Sequence, residues 1–263
     1  MNNRRLPAVL GAGLLALALT ACGGGGGSTT SSGAKLVNSG TLTVCSDVPY
    51  PPFEDFDKSA PTGFKGFDVD IVSQIAKGLN LKLTIKDSSF DALQSGLALN
   101  SGQCDLAASA MTITADRKKN LDFSDGYYNS KQSLLVPDGS SIKTIDDLSG
   151  KKVGVQQGTT GKTYTEDNAP SDAQIVTFPS DAEMYQAIKA GQVDALLQDL
   201  PVNLNHQQAG GYQIVQTYDT NEQYGLAMKK GNTHLVDDVD KQLQKMHDDG
   251  TYDTLYNKYF STK

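Results

Sequence analysis

Strand-like and helix-like patterns alternate along nearly the whole chain, and that alternation restricts the fold more than any other feature. Leu42-Thr43-Val44-Cys45 reads as a strand, with Asp47 and Tyr50-Pro51-Pro52-Phe53 in the loop at its C-terminal end. Asp68 to Leu79 follows as an amphipathic helix, its apolar face built from Ile71, Val72, Ile75 and Leu79 at helical spacing. Leu81 to Ile85 is a β-branched, alternating strand. Ser89 can cap a helix carrying Leu93 and Leu97 on one face, and Asp105 to Ser109 is the next strand. A second series begins after Leu134-Leu135-Val136. It continues through a short helix capped by Thr144 to the strand Lys151 to Val155, which runs into Gln156 to Thr160. Ser180 and Glu183 form a capping box opening the helix of Met184 and Ile188, and Gly191 stops it. Val193 to Leu197 delivers Gln198 and Asp199, Tyr224 to Met228 is a late strand, and two helices close the chain, Leu235 to Met246 and Tyr252 to Phe260.

Alternating strands and helices imply parallel sheets covered on both faces. Ligands of such folds sit beyond the carboxyl ends of the strands. Asp47, Ser109, the run Gln156 to Thr160, and Asp199 all fall there, in both halves of the chain, so the expectation is one cleft shared by two lobes. The segment Ser109 to Tyr128 carries the most chemistry. The hydroxyls of Ser109, Thr112 and Thr114 precede Arg117 at the start of a helical turn. Hydroxyls, helix-start amides and a guanidinium fork in one loop make a site for an anionic group, most simply a carboxylate.

The N-terminus reads as a targeting segment. Arg4 and Arg5 precede an apolar stretch, Leu6 to Leu19, too short to span a membrane. Leu19-Thr20-Ala21-Cys22 is similar to a bacterial lipobox, which makes residues 1–21 a lipoprotein signal peptide and Cys22 the lipidated residue. Residues 22–35, rich in Gly, Ser and Thr, are expected to be a random-coil tether. Removing residues 1–21 takes away two arginines, leaving 21 basic against 30 acidic residues, a net charge of −9. That argues against nucleic acid as a partner and against an extended basic surface for anionic lipid. About 230 residues follow the tether, enough for two small domains or one large one. Cys45 and Cys104 are expected as reduced thiols at opposite ends of a sheet. His206, His234 and His247 lack metal-ligand spacing and read as surface residues, and no metal or cofactor is called for. Gly161-Lys162-Thr163 is no phosphate loop, since Gln156 stands where that motif needs glycine.

Gly40-Thr41-Leu42-Thr43-Val44, Tyr50-Pro51-Pro52-Phe53-Glu54, Gly66-Phe67-Asp68-Val69-Asp70, Met111-Thr112-Ile113-Thr114, Arg117-Lys118, Gly158-Thr159-Thr160, Val193-Asp194-Ala195, Tyr224-Gly225 and Gly250-Thr251-Tyr252 occur in this order. As a set they resemble the extracellular solute-binding proteins of family 3, receptors for polar amino acids in ABC importers, over residues 36–261. The resemblance implies a periplasmic-binding-protein-like type II fold, two α/β lobes joined by two hinge strands. Lobe 1 would be 36–133 plus 228–263 and lobe 2 134–227, with hinge segments near Leu134–Val136 and Gly225–Ala227. It implies that Arg117, helped by Thr160, holds an α-carboxylate and that Asp199 takes the α-ammonium. Tyr50 and Phe90 would pack on the ligand side chain, with Ser109, Ala110, Thr112, Asp47 and Gln156 completing the site. Ala110 departs from the serine or glycine usual there, which leaves only a backbone contact at that position.

The implied partners are an amino acid and the permease subunits of an ABC transporter. The implied protein is a monomer held on the outer face of the plasma membrane, or in the periplasm, by its lipid alone. A cleft lined by Asp47, Glu54, Glu222 and Asp199 favours a basic amino acid, arginine or lysine. Glutamine is the alternative, with Gln156 and Gln198 as amide partners, and glutamate is disfavoured. The rival class is an enzyme like the cyclohexadienyl dehydratases, which share the fold.

Overall fold

The computed structural model describes residues 28–30 and 33–261. Residues 1–27, with the signal peptide and Cys22, lie outside the described residues. The tether is not coil to its end. β1 (Ser28–Thr29) pairs antiparallel with β2 (Lys35–Leu36). The Ala34 amide donates to Thr30 Oγ1 at 3.0 Å, and Ala34 and Leu36 are buried in the first lobe's core. Composition alone predicts coil there; burial of two apolar side chains and a short ladder overrides it.

The first lobe holds β3 (Thr41–Ser46), the small hairpin β4 (Asp55–Phe56) and β5 (Phe64–Lys65), α1 (Phe67–Gly78), β6 (Lys82–Asp87), α2 (Phe90–Gln94), α3 (Leu97–Asn100), β7 (Leu106–Ala107) and β8 (Leu121–Phe123). The second holds β9 (Tyr128–Pro137), β10 (Lys152–Gln156), α4 (Thr160–Asn168), β11 (Gln174–Phe178), α5 (Asp181–Lys189), β12 (Ala195–Asp199), α6 (Leu200–Gln208) and β13 (Tyr212–Tyr224). The chain then returns through β14 (Ala227–Lys229) and ends in α7 (Thr233–Asp248) and α8 (Thr251–Phe260). The strand orders are β6-β3-β7-β14-β8 and β11-β10-β12-β9-β13. Three neighbours in each sheet run parallel, as alternation predicts, while β14 and β8, and β9 and β13, add antiparallel pairs.

The strand expected over Tyr224–Met228 is divided between sheets: β13 ends at Tyr224 in the second and β14 begins at Ala227 in the first. Gly225 sits at this division, and a Cβ there would stand 2.7 Å from the Ile113 side chain. Leu134–Val136 lie inside the second sheet, paired with Leu196 and Ile214, so the chain leaves the first sheet earlier, between Phe123 and Tyr128. Leu134 and Val136 face one core with Val153 and Leu197, and Leu135 faces the other with Met184 and Ile188. The helix expected to align Leu93 and Leu97 breaks at Gly96, φ +82, leaving Leu93 buried and Leu97 exposed.

Two further expectations are corrected. Cys45 and Cys104 form a disulfide, with Cα atoms 5.8 Å apart. A long straight strand would separate them, but β7 has only two residues, registered Val44 to Leu106 and Cys45 to Ala107. Cys104 precedes that ladder, where the chain arrives from α3 into the cluster of Cys45, Leu93 and Leu99. His206 is buried, not on the surface. It lies on the inner face of α6 with Val202 and Asn203, its Nε2 2.8 Å from Asp181 Oδ1 and its ring stacked on Tyr185.

Candidate functional site

β3 and β7 in the first lobe, and β10 and β12 in the second, aim their carboxyl ends at one another. Between them lies a small cavity, largely closed by the two lobes. Asp47, Tyr50, Phe90, Ser109, Ala110, Thr112 and Arg117 line it from the first lobe, and Gln156, Thr160 and Asp199 from the second. All ten residues singled out in the sequence therefore meet there. Thr159, from the run Gln156 to Thr160 but not among those ten, lines it with them.

Arg117 opens a short 3-10 turn, Arg117–Lys119, with its backbone amide held by Thr114 Oγ1 at 3.1 Å. Its guanidinium is buried. One nitrogen donates to the Thr112 carbonyl at 2.6 Å, and another reaches across the cleft to the Gly158 carbonyl at 2.9 Å. The plane lies 5.1 Å from the Phe90 ring centroid, a cation–π contact. Burial pulls its pKa down to about 10, opposed by the charges of Asp199 and Glu222, so it stays cationic at neutral pH. Across the cleft, α4 starts at Thr160 after the Thr159 cap, which accepts from the Lys162 amide. A helix start presents unpaired amides and positive potential.

Asp199 occupies the N-cap position of α6 yet makes no side-chain cap hydrogen bond. Its carboxylate instead accepts from Gln132 Nε2 at 2.6 Å, Tyr224 Oη at 2.6 Å and Tyr50 Oη at 2.9 Å. Burial, and next the charge of Glu222, raise its pKa to about 7 against those three hydrogen bonds. Asp47 is likewise raised to about 7, chiefly by burial, and accepts from Gln156 Nε2 at 2.6 Å across the cleft. The Tyr50–Asp199, Asp47–Gln156 and Arg117–Gly158 bonds thus tie the lobes together.

Glu222, expected to line the cleft, is buried on β13 beside the cavity. It accepts from Thr112 Oγ1 at 2.6 Å, Thr160 Oγ1 at 2.8 Å, Thr220 Oγ1 at 2.8 Å and Gln132 Nε2 at 3.1 Å. It thereby links both lobes beside the cavity. Gln132 was missed outright. It is fully buried, and its amide bridges Asp199 and Glu222. The available signal was a glutamine in strand register with the apolar Leu134 and Val136, and so on their inward face, since a buried amide needs partners. Gln198 does not line the cavity; it donates to Asp181 and Asn203 within the second lobe. Glu54 lies behind Ser109, accepting its hydroxyl at 2.6 Å, rather than facing the cavity. Among the described residues no three metal-ligating side chains converge, and no helix is long and apolar enough to cross a membrane.

Two α/β lobes that close a polar cavity between their strand ends, one contributing a guanidinium and the other a carboxyl group, define a ligand-capturing protein. The comparisons give the family: the model for bacterial extracellular solute-binding proteins, family 3, matches residues 42–262, and the chain belongs to it. A probable histidine-binding protein of Neisseria gonorrhoeae is 36% identical over 253 residues, covering 94% of this chain and 92% of that one. The glutamine-binding protein GlnH of Bacillus subtilis is 38% identical over 200 residues, 74% of this chain and 72% of its own. An ancestral arginine-binding protein superposes with a TM-score of 0.79 in its glutamine-bound structure, at 38% identity over 86% of this chain and 100% of that one. Its arginine-bound structure gives the same TM-score at 39% identity, over 84% and 99%. The fold is the type II periplasmic-binding architecture. The chain is an amino-acid-binding substrate-binding protein of an ABC transporter, a receptor rather than an enzyme.

Proposed function

We propose that this receptor captures a basic amino acid, arginine or lysine, and delivers it to its permease. The observation that carries the reading is the charge balance of the cavity. Its walls hold two carboxylates, Asp47 and Asp199, against one guanidinium, Arg117, with Glu222 buried next to them. A zwitterion's ammonium pairs with ionised Asp199 and leaves Asp47 held toward its protonated form by burial; a cationic side chain gives Asp47 a partner for its ionised form as well. An uncompensated charge in a closed cleft is costly, which makes the cation the better guest.

In this reading Arg117 and Thr160 hold the α-carboxylate, assisted by Thr112 and the start of α4, and Asp199 holds the α-ammonium with Ser109 and Ala110 alongside. The side chain extends past Tyr50 and Phe90 toward Asp47. Glutamine remains a second reading because Gln156 offers an amide beside Asp47. The relatives' named ligands are histidine, glutamine, arginine and cystine, and the first three carry the side-chain nitrogen that either reading uses. A calorimetric screen of the twenty amino acids tests it. Arginine or lysine should bind tightest, and glutamate or aspartate heading the series would defeat the charge argument.

Cleavage after Ala21 and lipidation of Cys22 would leave a monomer anchored outside the plasma membrane, or in the periplasm of a Gram-negative cell, through its lipid alone. Metabolic labelling with a radioactive fatty acid should mark the wild-type protein and not Cys22→Ala.

A further inference from the structure

Ala110 lines the ligand cavity in a backbone conformation that alanine resists. Its φ is +44, in the left-handed region. The other non-glycine residues with positive φ among the described residues are Asn80 and Asn221, and asparagine tolerates that region far better. Something must therefore hold Ala110 there. The Ala110 amide donates to Asp68 Oδ2 at 2.8 Å, and the other oxygen of Asp68 accepts the Tyr127 hydroxyl at 2.7 Å. Asp68 is fully buried in the first turn of α1, lies outside the cavity lining, and makes no salt bridge with a lysine, arginine or histidine of the described residues.

We propose that Asp68 is a positioning residue for ligand binding: it pins the Ala110 amide and so holds the cavity wall between Ser109 and Thr112 in its binding geometry. The next residues of the same loop are fixed separately, by the Gly225 amide on the Met111 carbonyl and the Ile113 amide on the Gln223 carbonyl. Asp68 thus controls the one peptide of this wall whose conformation the local sequence opposes. Glycine at 110 would adopt the same φ without help, which gives the proposal its test.

The proposal rests on reading the cavity as the amino-acid site. Affinity for the tightest-binding amino acid is measured by calorimetry, with melting temperature recorded in parallel, for Asp68→Ala, Asp68→Asn, Ala110→Gly and the double variant Asp68→Ala with Ala110→Gly. Asp68→Ala should weaken binding at least tenfold. Asp68→Asn, whose amide oxygen still accepts from Ala110, should recover most of that loss. In the Ala110→Gly background the loss from Asp68→Ala should shrink at least threefold, whereas a purely structural role predicts independent effects in the two backgrounds. Should Asp68→Ala fail to fold, Tyr127→Phe, which removes the other restraint on Asp68, should weaken binding about threefold, less so with glycine at 110. Wild-type-like affinity in Asp68→Ala, or equal losses in both backgrounds, overturns the proposal. A wild-type protein that binds none of the twenty amino acids overturns both this and the reading of the cavity.

Discussion

At Asp199 three donors from three separate parts of the chain meet one carboxylate, and in the proposed complex an ammonium becomes its counter-ion. Asp199→Asn keeps the shape and removes the charge. It is expected to weaken amino-acid binding by about 2–5 kcal/mol, the usual loss when a buried charged group loses its partner. That is roughly thirty- to several-thousand-fold in Kd by calorimetry. Asp47, Asp68 and Asp199 are each raised to about 7 by burial. The folded protein therefore binds more protons than the unfolded chain from about pH 4 to 7. Their contribution to stability is complete below the unfolded pKa and is lost as pH rises through 7. The ligand-free protein should accordingly melt higher at pH 5.5 than at pH 8 in scanning calorimetry. Binding runs the other way, because an ammonium favours ionised Asp199: affinity should fall below pH 7, with protons released on binding at pH 6. Proton uptake, read from calorimetry in two buffers of different ionisation enthalpy, would contradict the assigned ion pair.

Elements carried most of the fold in their local pattern, and the failures are instructive. Ile71 and Ile75 announced α1, and Ser180 announced α5, because spacing and capping are local properties. The disulfide was not announced, since it depends on β7 being two residues long. Strand length is set by what the neighbouring ladder accepts, not by the residues of that strand alone. Replacing both Cys45 and Cys104 by alanine should lower the unfolding free energy by about 2–4 kcal/mol in urea titrations, mainly by freeing the unfolded chain. No change would mean the bridge contributes nothing beyond packing. The same limitation hid the division of Tyr224–Met228 between sheets, where five strand-like residues leave one lobe and enter the other.

For the whole molecule, two chain crossings and a few cross-cleft bonds connect the lobes, and we propose that closure is a hinge motion biased by the ligand. Saturating ligand should reduce the radius of gyration in small-angle X-ray scattering, and Tyr50→Phe, which deletes one cross-cleft hydrogen bond, should weaken binding by about 0.5–1.5 kcal/mol. Dimensions unchanged by ligand would argue against closure. The sequence by itself determined the class of fold and the polar strand ends, because periodicity records which side chains are buried and strand ends follow from it. It did not reveal that Gln132 bridges Asp199 and Glu222, or that the Tyr50 hydroxyl is donated to a carboxylate 149 residues away. Those partnerships, and the raised pKa of Asp199, depend on distances across docked lobes. A charge responds to what surrounds it in space, and that surrounding exists only once the tertiary structure has formed.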